Sequence, residues 1–174
     1  QAFLDWVASA RKIKAAPSAP SPTNPAPAAP AEAFKLPTEI SWKTPEGWRK
    51  GPAKSMRLAT YFVGSPSAAT GEVTVVKLGG TGGGDLANVN RWRGQIGLGT
   101  ITAADLAAAS AKVDSPGGTI TLVDCVGADR KTLAGWLRRE GSTWFFKLTG
   151  PAAVVDAERD HFMSFLSSLE FPTK

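Results

Sequence analysis

One cysteine and one histidine are all this chain has of the side chains that most readily bind metals or serve as nucleophile and base. A lone Cys125 excludes an internal disulfide, and His161 with Cys125 makes no ligand set at metal-binding spacing. Serine-type catalysis needs a placed nucleophile, and the chain holds no GxSxG. No GKS or GKT follows its glycines, so a P-loop is excluded. Carboxylates are scattered, with no close pair for acid/base work. There is also no apolar run of the roughly 20 residues that a membrane-spanning helix needs. No cofactor and no metal are therefore expected, and the chain is read as non-catalytic.

Cys125 sits in the apolar run TITLVDCVG, where a buried structural thiol is expected. No His, Lys or Arg adjoins it in sequence to lower its pKa. Scarce cysteine fits the cytosol, and equally a periplasm in which disulfides are optional. Lys and Arg number 20 against 15 Asp and Glu, for a net charge of +5 and a pI near 9.6. Both signs are spread through the chain, as on a solvated surface. Arg91-Trp92-Arg93 and Trp136 with Arg138 and Arg139 are fragments of a basic, aromatic stripe. No nucleic-acid module signature accompanies them, so no nucleic-acid partner is expected.

What the chain does have is proline and alanine, concentrated in residues 15–31, AAPSAPSPTNPAPAAPA. Such a segment carries no charge and no large apolar side chain, and it cannot bury enough surface to offset its chain entropy. Its prolines bias it toward extended polyproline II, a semi-rigid spacer. Three parts follow: a head at 1–14, a Pro/Ala-rich linker at 15–33, and one globular domain at 34–174. Hydrophobic content of 43% supplies that domain with a core. The head, QAFLDWVASARKIK, places Phe3, Leu4, Trp6 and Val7 before Arg11, Lys12 and Lys14. Apolar residues ending at an aromatic, then a basic cluster, suit the end of a membrane anchor or an interfacial helix. Phe3, Trp6, Arg11, Lys12 and Lys14 are thus candidate membrane or partner contacts. The opening Gln1, in place of Met, fits a processed chain or a fragment.

Within the body, ISWKTPEGW at 40–48 reads as a short strand and a turn. MRLATYFV at 56–63 and EVTVVKL at 72–78 read as an antiparallel pair across a turn of small residues. DLANVNRWRGQI after the glycines is helical, with Asp85 as its N-cap. Thr102 and Asp105 resemble a capping box that opens a second helix over AADLAAASAKV. SPGG at 115–118 is a turn, and 119–126 a strand. Residues 132–138 and 143–148 form a hairpin around Glu140 and Gly141, with Trp136 and Trp144 facing each other or the core. A last helix begins at Pro151, with Val155, Phe162, Phe165, Leu166 and Leu169 on one stripe. Its other face carries Asp156, Glu158, Arg159 and Asp160. The order predicts an α+β domain, a mainly antiparallel sheet covered by helices.

Two segments carry candidate chemistry. Gly82, Gly84 and Ala87 match GxGxxA between a strand and a helix, with Asp105 some way on. Five of the six residues at 79–84 are glycine, so the match has little content, and a flexible exposed loop explains the run equally. NVNRWRGQIGL at 88–98 is denser. Asn88, Asn90, Arg91, Trp92, Arg93 and Gln95 put fork-shaped donors beside a large aromatic, the vocabulary of a protein interface. A carboxylate or sugar ligand would suit the same donors. So would a structural role, with Trp92 in the core and the Asn and Arg side chains on loop carbonyls.

WKTPEGW, MRLATYFV, GGGDLANVNRWRGQIGL, and WFFKLTGP before a helix ending in FLSSLEF occur in an order that resembles a group of bacterial secreted proteins and lipoproteins. That group is similar to the PsbP/Mog1-like α/β/α sandwich. The resemblance spans roughly residues 40–171, and NVNRWRGQIGL is its most specific piece. It implies an antiparallel sheet between helices and a non-catalytic accessory or binding role, with no catalytic residue to carry over. The chain shows no N-terminal lipid-bearing Cys, so an anchor is expected from the head and spacer, or in sequence beyond Gln1. The expected function is an accessory or interaction subunit of a membrane-associated bacterial assembly, contacting protein subunits through Asn88, Asn90, Arg91, Trp92 and Arg93. The alternative is a periplasmic module that binds a small anion at the glycine loop and the Arg/Trp block. The location expected is periplasmic or extracytoplasmic and membrane-associated, although a basic flank by itself favours the cytoplasmic side.

Overall fold

Residues 40–172 are described by a computed structural model. The head with Phe3, Trp6, Arg11, Lys12 and Lys14, and the Pro/Ala-rich linker, lie outside the described residues. The strands are β1 (Arg49–Lys50), β2 (Ala59–Gly64), β3 (Thr70–Gly79), β4 (Ser110–Ser115), β5 (Gly118–Val126), β6 (Arg130–Arg139) and β7 (Ser142–Pro151). Helices α1 (Asp85–Gln95) and α2 (Ala103–Ala109) lie between β3 and β4, and α3 (Ala152–Ala157) and α4 (Arg159–Ser167) follow β7. The strands form one seven-stranded sheet in the order β1-β2-β3-β7-β6-β5-β4, with every pairing antiparallel. The helical stretch after β3 carries the chain to the far edge, and the meander β4-β5-β6-β7 brings it back beside β3.

Alternation along the strands divides the apolar residues between two faces. The first face takes Tyr61, Val63, Val73, Val75, Ile120, Leu122, Leu133, Phe146 and Leu148. The stripe read from the last helix, Val155, Phe162, Phe165, Leu166 and Leu169, packs on it, and all five residues are buried. Trp48 closes one end against Tyr61 and Phe165. The second face takes Val123, Cys125, Ala134, Trp136 and Phe145 beneath Val89 and Trp92 of α1 and Leu106 of α2. A sheet buried on both faces between two helical layers is an α/β/α sandwich, here of the α+β class. Among the described residues, no helix is long and apolar enough to cross a membrane.

Several local expectations change. The second helix stops at Ala109, and Ser110 to Ser115 become the edge strand β4. An alanine run carries little apolar area to hold a helix, whereas Val113 gains a buried place opposite Ile120. Residues 40–48 make one isolated bridge, Ser41 with Glu170, and pairing with β2 begins only at Arg49. Met56 lies in a turn with φ 65 and is 74% exposed, and β2 starts at Ala59. The last helix is two, broken at Glu158. Trp136 and Trp144 do not face each other: their registry partners are Phe145 and Leu137, and they enter opposite cores. Glu140 and Gly141 both take positive φ, 48 and 69, as a two-residue hairpin with the strands' own twist requires. The Thr102–Asp105 capping box is present, with Oγ1 accepting from the Asp105 amide at 3.2 Å. The side-chain and backbone donors of Thr102 hold the Asp105 carboxyl below its ordinary pKa of 3.8.

Candidate functional site

The glycine run is pinned rather than loose. The amide of Gly80 donates to Gly141 O at 2.7 Å, that of Gly82 to Gly79 O at 3.2 Å, and that of Gly84 to Thr81 O at 3.2 Å. Gly82 lies flat on Phe145, and a Cβ there would come 2.6 Å from the ring. Asp85 is not the N-cap, which is Gly84; it sits in the first turn of α1 and pairs with Arg138. Three amides that a phosphate would need are spent on turns, and a carboxylate already complements the positive end of the helix. Asp105, the acidic residue of the GxGxxA match, is engaged in its capping box.

All five residues singled out from 88–93 lie on α1, and the helix divides their roles. Asn88 is buried, 4% exposed, and its Nδ2 donates to Gly82 O and Gly84 O, both at 2.8 Å. Trp92, also 4% exposed, stands edge-on to Phe145 at 5.9 Å between ring centroids and tilted to Trp136 at 6.3 Å. Asn90 docks the segment after α1 by two bonds to one residue: Nδ2 donates to Ile101 O at 3.1 Å, and Oδ1 accepts from Ile101 N at 2.8 Å. Arg93 Nε donates to Gly99 O at 2.7 Å. Arg93 also reaches Cys125, yet burial outweighs its charge and raises the thiol pKa above 9.0, so the cysteine is an inert core residue. Arg91 is exposed, and its Nη2 donates to Asn88 Oδ1 at 2.8 Å. Asn88, Asn90 and Trp92 thus fasten α1 to the sheet and its flanking loops, and Arg91 is displayed by them.

Beside Arg91 the second face changes from apolar to polar. Thr60, Thr74 and Lys147 are register partners across β2, β3 and β7, so they stand side by side. Lys147 Nζ donates to Gln95 Oε1 at 3.2 Å. Among the described residues that amide is its only hydrogen-bond partner, and no carboxylate lies at ion-pair distance. Burial, reinforced by the charge of Arg57, lowers the Lys147 pKa from 10.5; Glu72 opposes the shift and Arg91 adds to it. Glu72 pairs with Arg57 at 2.6 Å and with Lys54 at 3.6 Å. Two cations therefore hold that carboxylate, and Lys147 stands on the same face in the adjacent strand. Sequence reasoning found Gln95 and missed Lys54, Arg57, Glu72 and Lys147. One signal was available: Lys147 shares its strand face with Phe145, a face that the helices were expected to cover.

Among the described residues, no group of three or more His, Cys, Asp or Glu is placed to hold a metal ion. His161 is exposed, with Nδ1 3.0 Å from Glu158 Oε2, and the same oxygen accepts from Trp48 Nε1 at 2.9 Å. No family model and no curated protein matches the chain. Solved structures do align with it. The crystal structure of LpqN, involved in cell envelope biogenesis of Mycobacterium tuberculosis, is 14% identical, covering 77% of this chain and 83% of that one, with a TM-score of 0.49. The solution structure of cyanobacterial PsbP (CyanoP) from Synechocystis is 14% identical over 84% of this chain and all of that one, with a TM-score of 0.46. A crystal structure from Bacteroides thetaiotaomicron is 10% identical over 78% of this chain and 46% of that one, with a TM-score of 0.41. Likeness at this level assigns neither a family nor a function to the chain.

Proposed function

We propose that this chain is a non-catalytic accessory or interaction subunit of a membrane-associated bacterial assembly. In this reading the domain at 34–174 is extracytoplasmic, and the linker and head tether it. The block Asn88 to Arg93 is the partner-binding element, in which Asn88, Asn90 and Trp92 hold the helix while Arg91 and Arg93 meet the partner. One observation supports this most: α1 is fastened at Gly82, Gly84 and Ile101 and anchored by Trp92, yet Arg91 is left exposed with, among the described residues, only an amide partner. A rigidly presented arginine loses little entropy on binding, which favours it as an interface anchor. The test is recovery of the chain from detergent-solubilised native membranes, with wild type and Arg91→Glu compared. The reading predicts a stoichiometric complex for wild type and its loss in the variant, at unchanged thermal stability.

A further inference from the structure

Among the described residues, Arg91 and Lys147 on the second face have no anionic partner at hydrogen-bond or ion-pair distance. On α1, Arg91 and Gln95 are four residues apart and share one side of the helix. Gln95 reaches across to Lys147 on β7, and the charge of Arg91 acts on the same ammonium. Among the described residues, the Arg91 side chain is bonded only to Asn88 Oδ1, and that of Lys147 only to Gln95 Oε1. The nearby carboxylate, Glu72, is already taken up by Arg57 and Lys54. Half-burying an ammonium against a neutral acceptor, beside other positive charges, is unfavourable unless a negative group completes the site.

We propose that Arg91 and Lys147, with Gln95 between them, form a seat for one oxyanion group, a carboxylate or a phosphate. The guanidinium supplies a fork of donors from the helix side. The ammonium keeps two donors beyond the one given to Gln95. The Arg57–Glu72 pair bounds the seat on the β3 side, because Glu72 and Lys147 lie on the same face in adjacent strands. The seat deepens the interaction reading, which supplies its biological meaning, and it gives the partner's contact an acidic character.

The test uses the purified full chain at low ionic strength and involves no partner. Inorganic phosphate, and in a separate series glutarate, is titrated while the Gln95 side-chain amide, the Arg91 guanidinium and the Lys147 ammonium are followed by NMR. The expected result is saturable shifts confined to these groups and a rise in the Lys147 pKa on saturation. Lys147→Met and Arg91→Met each weaken binding about tenfold, as loss of a charged hydrogen bond does, whereas Lys50→Ala on exposed β1 leaves it unchanged. Saturation by phosphate alone identifies a phosphate-bearing ligand, and saturation by glutarate alone a carboxylate. Shifts that never saturate and spread over the whole basic surface overturn the seat, as does wild-type affinity in both methionine variants. If Lys147→Met does not fold, exposed Arg91→Met decides. A seat that fails while the membrane complex is still captured removes this inference alone.

Discussion

Replacing Trp92 with alanine separates the anchoring part of α1 from its displayed part. The indole is buried between Phe145 and Trp136 and closes the second core from above. A buried tryptophan withdraws about 200 Å² from water, worth ~5 kcal/mol at ~25 cal/mol per Å². Observed truncations of this kind cost ~3–5 kcal/mol after partial collapse of the cavity. A loss near 4 kcal/mol is a large share of the ~5–15 kcal/mol by which most domains are stable. It corresponds to a fall in Tm of more than about 10 °C in a domain of this size. Arg91→Ala, which removes one exposed bond to Asn88, is expected to cost less than ~1 kcal/mol. Urea unfolding followed by far-UV circular dichroism measures both. A Trp92→Ala loss below ~1 kcal/mol, or an equal loss in Arg91→Ala, would refute the division of α1 into anchor and display.

Gly82→Ala is expected to destabilise by ~2 kcal/mol, because φ is +62 and the new Cβ meets the Phe145 ring; Gly94→Ala, inside α1 with open space around it, is expected to stabilise by ~0.5–1 kcal/mol in the same unfolding assay. Thr60 Oγ1 is buried without a partner among the described residues, so Thr60→Val is expected to raise stability by ~1 kcal/mol, and a loss of that size would show that the hydroxyl is paired in solution. Lys147 titrates below its unfolded value of 10.5, so between the folded and unfolded pKa values the unfolded chain binds more protons and stability rises with pH. Thermal melts across that alkaline window should rise for wild type and stay flat for Lys147→Met.

Patterns with strong periodicity were legible in the sequence, and marginal ones were not. The five apolar residues read as one helical stripe are all buried, Val155 on α3, Phe162, Phe165 and Leu166 on α4, and Leu169 just beyond it. The hairpin at Glu140 and Gly141 follows from a turn dipeptide between two apolar strands. By contrast, 103–113 reads as one alanine-rich helix because intrinsic propensity favours it. The chain leaves that helix at Ala109, since an edge place on the sheet buries Val113. The block at 88–93 was visible as a cluster, but the division of labour within it was not. Whether Asn88 displays its amide or spends it on Gly82 and Gly84 depends on where the glycine turn brings those carbonyls. The Gln95–Lys147 contact joins positions on two elements far apart in sequence; alternation with Phe145 puts Lys147 on the helix-covered face, but the meeting itself depends on how α1 lies over β7.

Capture from native membranes, with a matched variant, tests the central claim most directly. Wild-type chain and Arg91→Glu are expressed at equal level, solubilised in mild detergent, and recovered under identical conditions for quantitative mass spectrometry. The account predicts a stoichiometric membrane complex with wild type, lost in Arg91→Glu while the variant melts at the wild-type temperature. Recovery of wild type alone as a soluble monomer, or of the same complex with both proteins, would contradict it.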